Sequence, residues 1–202
     1  MTAFETFVRK SPLRAVAQEF IEIRSLQKRV NVAADKIVLE IGCGNGTGTK
    51  HLNKYFKPRK LYAIDNDAGS IAEAQKHHAA PEIIYEVADV TNLPYNKEMF
   101  DIVFDFSVLY HSGDWKKALD EIWRVLKPGG KFILEDLTIE TPGFDISKYV
   151  RRLFMHTYKK PYKREAFFAY FVAQGWHLST KKVFNPLGFE YFIVVAGKPH
   201  KN

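Results

Sequence analysis

The chain has a single cysteine, Cys43, among its 202 residues. An internal disulfide is therefore excluded, and no cysteine cluster can hold a metal ion, so we expect no metal site. The longest apolar run, residues 191–196, is far too short to span a bilayer. Residues 1–10 lack the apolar core and small-residue cleavage site of a secretory signal. These absences predict a cytoplasmic protein that does not enter membranes.

Acidic residues are scarce in one part of the chain only. Residues 1–143 hold 19 Lys and Arg against 20 Asp and Glu, whereas residues 144–202 hold 11 against 3. The whole excess of the net charge of +7 therefore belongs to the carboxy-terminal part. Such an asymmetry indicates an acidic partner or substrate group, and the alternative is a solvated surface that prevents aggregation.

Apolar strand-like runs alternate with amphipathic helical segments along most of the chain, which predicts a parallel sheet covered by helices on both faces. Strands are expected at 36–41, 61–64, 83–87, 101–106 and 131–137, and helices at 11–30, 47–56, 69–77 and 114–126. Two further strand-like segments, 176–184 and 189–197, are separated by only four residues, which allows only an antiparallel hairpin. The prediction is a doubly wound α/β fold with a seven-stranded sheet, five strands parallel and the last two a hairpin.

No repeat, linker or low-complexity segment interrupts this pattern, so we expect a single domain over residues 1–202. Residues 1–34 would form a helical cap on it. Residues 138–164 form an unusually long connection between the fifth strand and the next helix, and we expect them to cover the substrate.

Glycine stands at every second position after the first predicted strand, at Gly42, Gly44 and Gly46. A strand, a glycine-rich turn and a helix amino terminus together form a corner suited to nucleotides and anions. The dinucleotide pattern G-x-G-x-x-G fails, since Thr47 and Thr49 occupy the third glycine position in the two registers. The phosphate-binding pattern G-x-x-x-x-G-K-[ST] fails as well, because no lysine follows a glycine at the required spacing.

An acidic residue two positions before G-x-G-x-G, here Glu40, resembles motif I of the class I S-adenosylmethionine (SAM) methyltransferases. Residues 100–111 resemble the fourth motif of that family, and residues 124–130 resemble its junction between helix and fifth strand. Gly-Cys-Gly in motif I and Val-Leu-Tyr-His after strand four are similar to the small-molecule subgroup, methyltransferase type 11. The resemblance implies SAM as cofactor, S-adenosylhomocysteine as product, and a site at the carboxyl ends of the strands.

The cofactor-binding residues that the resemblance implies are Glu40, Gly42, Gly44, Gly46, Asp65, Asn66, Asp89, Val90 and Phe106. Asp65 would accept both ribose hydroxyls; Asp67 is the rival candidate for that role and could instead cap the following helix. Asp89 would accept the adenine amino group beside the backbone amide of Val90, and the alternative for it is an Asx-turn. Burying a carboxylate inside an apolar strand costs free energy unless it accepts hydrogen bonds. The presence of Glu40 at this position therefore indicates a role for it.

On the acceptor side, His111 is the candidate general base, because imidazole titrates near neutrality and this residue directly follows strand four. The alternative for His111 is a helix cap or a core histidine. Tyr110 would position the acceptor. Further candidates are Glu135, Asp136, His156 and Tyr158.

The expected acceptor is an oxygen, nitrogen or carbon atom of a small molecule, with acidic molecules among the candidates. Methylation at pyrimidine C5 would need a catalytic cysteine, and Cys43 belongs to the glycine turn. Residues 148–164 hold seven basic residues, no acidic one and interleaved aromatics. They fit a substrate lid, a solvated helix or a nucleic-acid surface, so an RNA- or protein-directed methyltransferase is an alternative. A SAM-binding protein without catalysis is another. We expect a monomer or homodimer.

Overall fold

The computed structural model describes residues 34–109, 112–137, 164–184 and 191–200. Strands and helices alternate through the first three of these stretches. Their bounds are β1 Ile37–Ile41, α1 Thr47–Phe56, β2 Lys60–Asp65, α2 Ala68–His78, β3 Ile83–Val87, β4 Phe100–Phe106, α3 Trp115–Val125, β5 Leu126–Leu137, α4 Arg164–Ala173, β6 His177–Phe184 and β7 Tyr191–Gly197.

Within the described residues, the strands form a seven-stranded sheet in the order β3-β2-β1-β4-β5-β7-β6. β1 pairs with β2, β2 with β3, and β4 with β5, all in parallel. β7 pairs antiparallel with both β5 and β6. The predicted α/β sheet with a carboxy-terminal antiparallel pair is therefore confirmed.

The described residues divide into two compact units, with the boundary after Asp89. In the first unit, β1 and β2 are apolar over almost their whole length, as expected for central parallel strands. A buried cluster of Cys43, Ala63, Ile71, Ala74 and Tyr85 joins the glycine turn to α2 and β3. Cys43 is thus a small core residue here.

In the second unit, the parallel pair β4–β5 continues into the antiparallel β7 and β6. A cluster of aromatic rings packs α4 against this sheet: Trp115, Phe132, Phe167, Phe171 and Trp176. Phe132, Phe167 and Phe171 are fully buried. Rings of this size supply most of the apolar area that holds a small unit together.

The start of β5 differs from the sequence prediction. We expected the chain to reverse direction at residues 127–130 and a strand to begin at residue 131, whereas β5 already begins at Leu126. The reason is long-range pairing: Leu126 lies in register with Phe100, and Gly129 N–H donates to Lys198 O at 2.8 Å. Helix α3 accordingly ends at Val125, one residue earlier than predicted.

Three predicted elements lie outside the described residues: the helix at 11–30, the turn between β6 and β7, and the connection 138–164 with its basic segment 148–164, apart from Arg164, which begins α4. None of the helices in the described stretches is long and apolar enough to cross a membrane. The prediction of one domain over 1–202 stays a prediction.

Candidate functional site

The turn after β1 has left-handed backbone at each alternate glycine. The φ angles are 66° at Gly42, 55° at Gly44 and 83° at Gly46. Residues with a Cβ rarely adopt this conformation, so glycine is required by the path of the chain. Gly46 N–H donates to Cys43 O at 3.0 Å, and Gly46 O accepts from Lys50 in the first turn of α1. The turn therefore brings bare backbone to the carboxyl end of β1.

Asp65, at the end of β2, organises this turn. Its Oδ2 accepts from Gly44 N–H at 2.9 Å, and its Oδ1 accepts from Asp67 N–H at 2.9 Å. One carboxylate therefore joins the ends of two neighbouring strands, 21 residues apart in sequence. The structure brings Asp65 and Gly44 together, and each carboxylate oxygen retains capacity for a second donor.

Glu40 lies inside β1 and is 2% exposed. Its Oε2 accepts from the Thr49 hydroxyl of α1 at 2.5 Å. Burial raises the pKa of this carboxyl to about 7, the Thr49 bond works against that shift, and the charge of Asp65 adds to it. Desolvation outweighs the hydrogen bond, so near neutrality the group holds its proton about half of the time.

The other predicted residues of the first unit follow the neighbouring strands. Asp67 caps α2, since its Oδ2 accepts from Ser70 N–H at 2.9 Å and from the Ser70 hydroxyl at 2.8 Å. This is the alternative that the sequence left open for it. Asn66 and Asp89 are exposed. Ala88 N–H donates to Asp65 O at 3.0 Å, and Asp89 follows it, two residues beyond Val87 at the end of β3.

In the second unit, a strained turn follows β4. Asp105 is fully buried and accepts from Val108 N–H at 2.7 Å and Leu109 N–H at 3.2 Å. Burial raises its pKa to about 7, and these two backbone bonds work against the shift. Ser107 has a φ of 64° and donates its N–H to Glu135 O at 2.7 Å. The turn is thus fixed by a buried carboxylate and by β5.

Three more predicted residues, Phe106, Glu135 and Val90, belong to the described part of this unit. Phe106 is half-buried, stacks on Phe104 with ring centroids 5.9 Å apart, and lies in register with Glu135. Glu135 is buried, and so is Val90. Tyr110, His111, His156 and Tyr158, together with the side chain of Asp136, lie outside the described residues. No group of three His, Cys, Asp or Glu suited to a metal ion occurs in the part of the chain described above.

Sequence reasoning missed Thr49 and Tyr85. Thr49 is fully buried and holds Glu40, and its hydroxyl lies close enough to the Tyr85 hydroxyl to lower the pKa of that group. A buried carboxylate needs donors, so a search for hydroxyls on the apolar face of the following helix would have found Thr49. Tyr85 is contributed by β3, and no local pattern connects it with Glu40.

A family model described as "Methyltransferase domain" matches residues 39–134. The phthiotriol/phenolphthiotriol dimycocerosates methyltransferase of Mycobacterium tuberculosis is 33% identical over 102 residues, 50% of this chain and 38% of that protein. The tRNA U34 carboxymethyltransferase of Campylobacter curvus is 33% identical over 129 residues, 62% of this chain and 42% of that protein. The chain thus spans about two fifths of the length of these relatives.

Solved structures show the same fold. A chain from the complex between the Haloferax volcanii Trm112 methyltransferase activator and a methyltransferase has a TM-score of 0.78, with 17% identity and 99% coverage of both chains. The S-adenosylmethionine dependent methyltransferase of Mesorhizobium loti has a TM-score of 0.74, with 17% identity, covering 90% of this chain and 98% of that one. At such identities the likeness concerns the fold.

Proposed function

Because residues 39–134 belong to the class I, Rossmann-like methyltransferase family, we propose that the chain is a SAM-dependent methyltransferase of a small-molecule acceptor. It would transfer the methyl group to an oxygen, nitrogen or carbon atom and release S-adenosylhomocysteine. The observation that carries the proposal is the turn after β1, with its left-handed glycines and Gly44 held by Asp65. Such a turn exposes backbone to a nucleoside without side chains in between.

The chemistry of the residues at this corner fits SAM. The cofactor carries an ammonium group, two ribose hydroxyls and an adenine amino group, all of which donate hydrogen bonds. The strand ends offer acceptors, namely the carboxylates of Glu40, Asp65 and Asp89. Carboxylates accept from such donors without competing donors of their own. We assign Glu40 to the ammonium end, Asp65 and Asn66 to the ribose, and Asp89 with the Val90 amide to adenine.

SAM supplies an electrophilic methyl group on a sulfonium. For an in-line displacement the chain has to align the acceptor and exclude water. The turn at Asp105 and Ser107 fixes the start of the segment that continues into Tyr110 and His111. We propose that His111 takes the acceptor proton and that Tyr110 orients the acceptor, with Phe106 beside the methionyl part.

A small-molecule acceptor is favoured by the Mycobacterium tuberculosis relative, whose name gives phthiotriol and phenolphthiotriol dimycocerosates as the molecules on which it acts. An acidic acceptor is favoured by the basic excess of residues 144–202. A cytoplasmic location and a monomeric or homodimeric state are part of the same proposal.

An RNA-directed reaction is the second candidate. The Campylobacter curvus relative is named for tRNA, and residues 148–164 combine basic and aromatic side chains. Binding to RNA through such a segment would weaken steeply as salt rises, because phosphate contacts release counterions. A filter-binding titration at two salt concentrations decides: salt-sensitive RNA affinity favours this candidate, and absent or salt-independent binding removes it.

The test of the proposed function is calorimetric titration with SAM and S-adenosylhomocysteine. The wild-type chain should bind both, and Asp65→Ala should raise the dissociation constant about 10- to 100-fold, since hydrogen bonds to a charged group are lost. Asp114→Ala is the matched control, because Asp114 accepts from Lys117 N–H at the start of α3. Loss of a helix cap alone should leave affinity unchanged.

Turnover is followed as S-adenosylhomocysteine formed on a panel of phenols, amines, carboxylic acids and RNA. Product that depends on one small-molecule class identifies the acceptor. Normal cofactor binding without turnover on the whole panel would favour the third alternative, a SAM-binding protein without catalysis. A wild-type chain that binds neither ligand contradicts the proposal outright.

A further inference from the structure

A chain of three buried polar side chains runs behind the glycine turn. Glu40 of β1, Thr49 of α1 and Tyr85 of β3 are 2%, 0% and 9% exposed. The Thr49 hydroxyl donates to Glu40 Oε2 at 2.5 Å, and it lies close enough to the Tyr85 hydroxyl to lower the pKa of that group. The Tyr85 hydroxyl also lies 3.3 Å from His78 O, to which it can donate. A hydroxyl of α1 therefore contacts one carboxyl group of β1, and a hydroxyl of β3 lies behind it.

The hydrogens of this chain can be counted. When Glu40 is ionised, Thr49 donates to it and Tyr85 can donate to the Thr49 oxygen. When Glu40 is protonated, it can donate to Thr49, Thr49 to Tyr85, and Tyr85 to His78 O. Both arrangements leave every hydroxyl hydrogen with an acceptor. Glu40 can therefore gain or lose its proton while every buried hydroxyl keeps an acceptor. An unsatisfied buried donor would cost about 1–3 kcal/mol.

Tyr85 also supports the glycine turn directly. A Cβ at Gly46 would lie 2.9 Å from the Tyr85 hydroxyl oxygen and 2.9 Å from Ala74 Cβ. Burial is the main reason that the pKa of Tyr85 is raised well above its ordinary value, and the charges of Glu40 and Cys43 add to the shift. Tyr85 therefore stays a neutral hydroxyl at every pH at which the protein is handled, able to donate and to accept.

We propose that Thr49 and Tyr85 are positioning residues for cofactor binding, acting through Glu40. They fix the rotamer of its carboxyl by engaging one oxygen, which leaves the other to accept from the ammonium group of SAM. The inference rests on the proposed function, since it concerns the same cofactor. An unfixed carboxyl would have to be ordered during binding, and part of the binding energy would be lost to that ordering.

The experiment measures the dissociation constant of SAM by calorimetry at pH 8, where Glu40 is mostly ionised. Thr49→Val removes the hydroxyl at nearly constant volume and should weaken binding about 10-fold, the value of one hydrogen bond to a charged group. Thr49→Ser keeps the hydroxyl and should restore affinity to within about 2-fold of wild type. Tyr85→Phe, one bond further from Glu40, should weaken binding by about 3-fold.

A double-mutant cycle separates positioning from a general loss of structure. If Thr49 acts through Glu40, adding Thr49→Val to Glu40→Gln should change affinity by less than about 2-fold, because the two effects share one path. Ser70→Ala is the matched control. It removes another buried helix hydroxyl, which donates to Asp67, and it should leave the cycle unaffected.

Two results would overturn the inference while the proposed function stands: Thr49→Val and Tyr85→Phe that bind SAM like wild type, or a Thr49→Val effect that adds in full to that of Glu40→Gln. Failure of the wild-type chain to bind SAM is a different result, and it overturns the proposed function as well. Circular dichroism of each variant shows whether it is folded, and Thr49→Ser and Tyr85→Phe retain nearly all of the wild-type packing.

Discussion

Replacing Glu40 by Gln should make the protein more stable at alkaline pH and leave its stability unchanged at acid pH. The carboxyl is buried in β1, faces the Thr49 hydroxyl from α1, and feels the charge of Asp65 from β2. Its pKa rises from 4.5 in the unfolded chain to about 7 in the folded one. Between these two values the folded state holds a proton that the unfolded state has released. Stability therefore falls as the pH rises through this window.

The size of the fall follows from the same two values. A tenfold change in proton affinity corresponds to about 1.4 kcal/mol, so ionising Glu40 in the folded state costs about 3 kcal/mol. The side chain is shielded from solvent, so salt and water screen this cost very little. Gln has nearly the same shape and can still bond the Thr49 hydroxyl. We expect Glu40→Gln to exceed wild type by about 2–3 kcal/mol at pH 8 and to match it within about 1 kcal/mol at pH 4.5.

The assay is urea unfolding of both proteins at pH 4.5, 5.5, 6.5, 7.5 and 8, with the midpoints compared at a common slope. Asp105 also has a raised pKa, but it is present in both proteins and its effect cancels in the difference. Glu86→Gln, at a half-buried position of β3, controls for the loss of one glutamate. Stability curves for wild type and Glu40→Gln that run parallel across the whole range would refute the reasoning.

Three further substitutions test the backbone and its supports. Gly46→Ala should lower the free energy of unfolding by about 3 kcal/mol, since its φ is 83° and its Cβ would meet Tyr85; urea unfolding that matches wild type would contradict the fold of the turn. At Ser107, where φ is 64°, the Gly variant should be about 1 kcal/mol more stable than the Ala variant. Equal denaturation midpoints for this pair would argue against a left-handed conformation. Arg124→Ala should lower the melting temperature by about 4–8 °C, because its guanidinium bonds Glu121 at 2.7 Å and two loop carbonyls. If Arg124→Lys has the melting temperature of wild type, the ability of the planar guanidinium to bond several acceptors at once is unimportant.

The parts of the fold that the sequence predicted are those set by local patterns. Helix α1 and strand β3 have the predicted bounds, because apolar spacing and flanking turns define them within a few residues. The glycines after β1 have the left-handed backbone that their spacing indicates. The predicted start of β5 at residue 131 was wrong. The strand begins earlier because it pairs with Phe100 and Lys198, which lie 26 or more residues away in the sequence.

The residues of the candidate site could be predicted from the sequence, but only some of the contacts among them could. The sequence pointed to Glu40 and Asp65 because each stands at or near a strand end, where parallel topology collects functional groups. It could not show that Asp65 already holds Gly44 and Asp67, since those contacts exist only once β1 and β2 pair. Nor could it connect Glu40 with Tyr85, which comes from a strand that is not adjacent to β1.

These contacts change what a loss of binding would mean. Asp65 is expected to contact the cofactor, yet its two oxygens also accept from backbone amides, one from Gly44 in the turn and one from Asp67 before α2. Removing it therefore disturbs the shape of the site together with one of its ligands. Glu40 differs, since among the described residues its carboxyl accepts from the side chain of Thr49, and Gln can keep that bond. A substitution at Glu40 thus changes charge with little change in shape, which makes it the cleaner probe of how this corner of the sheet recognises a cation.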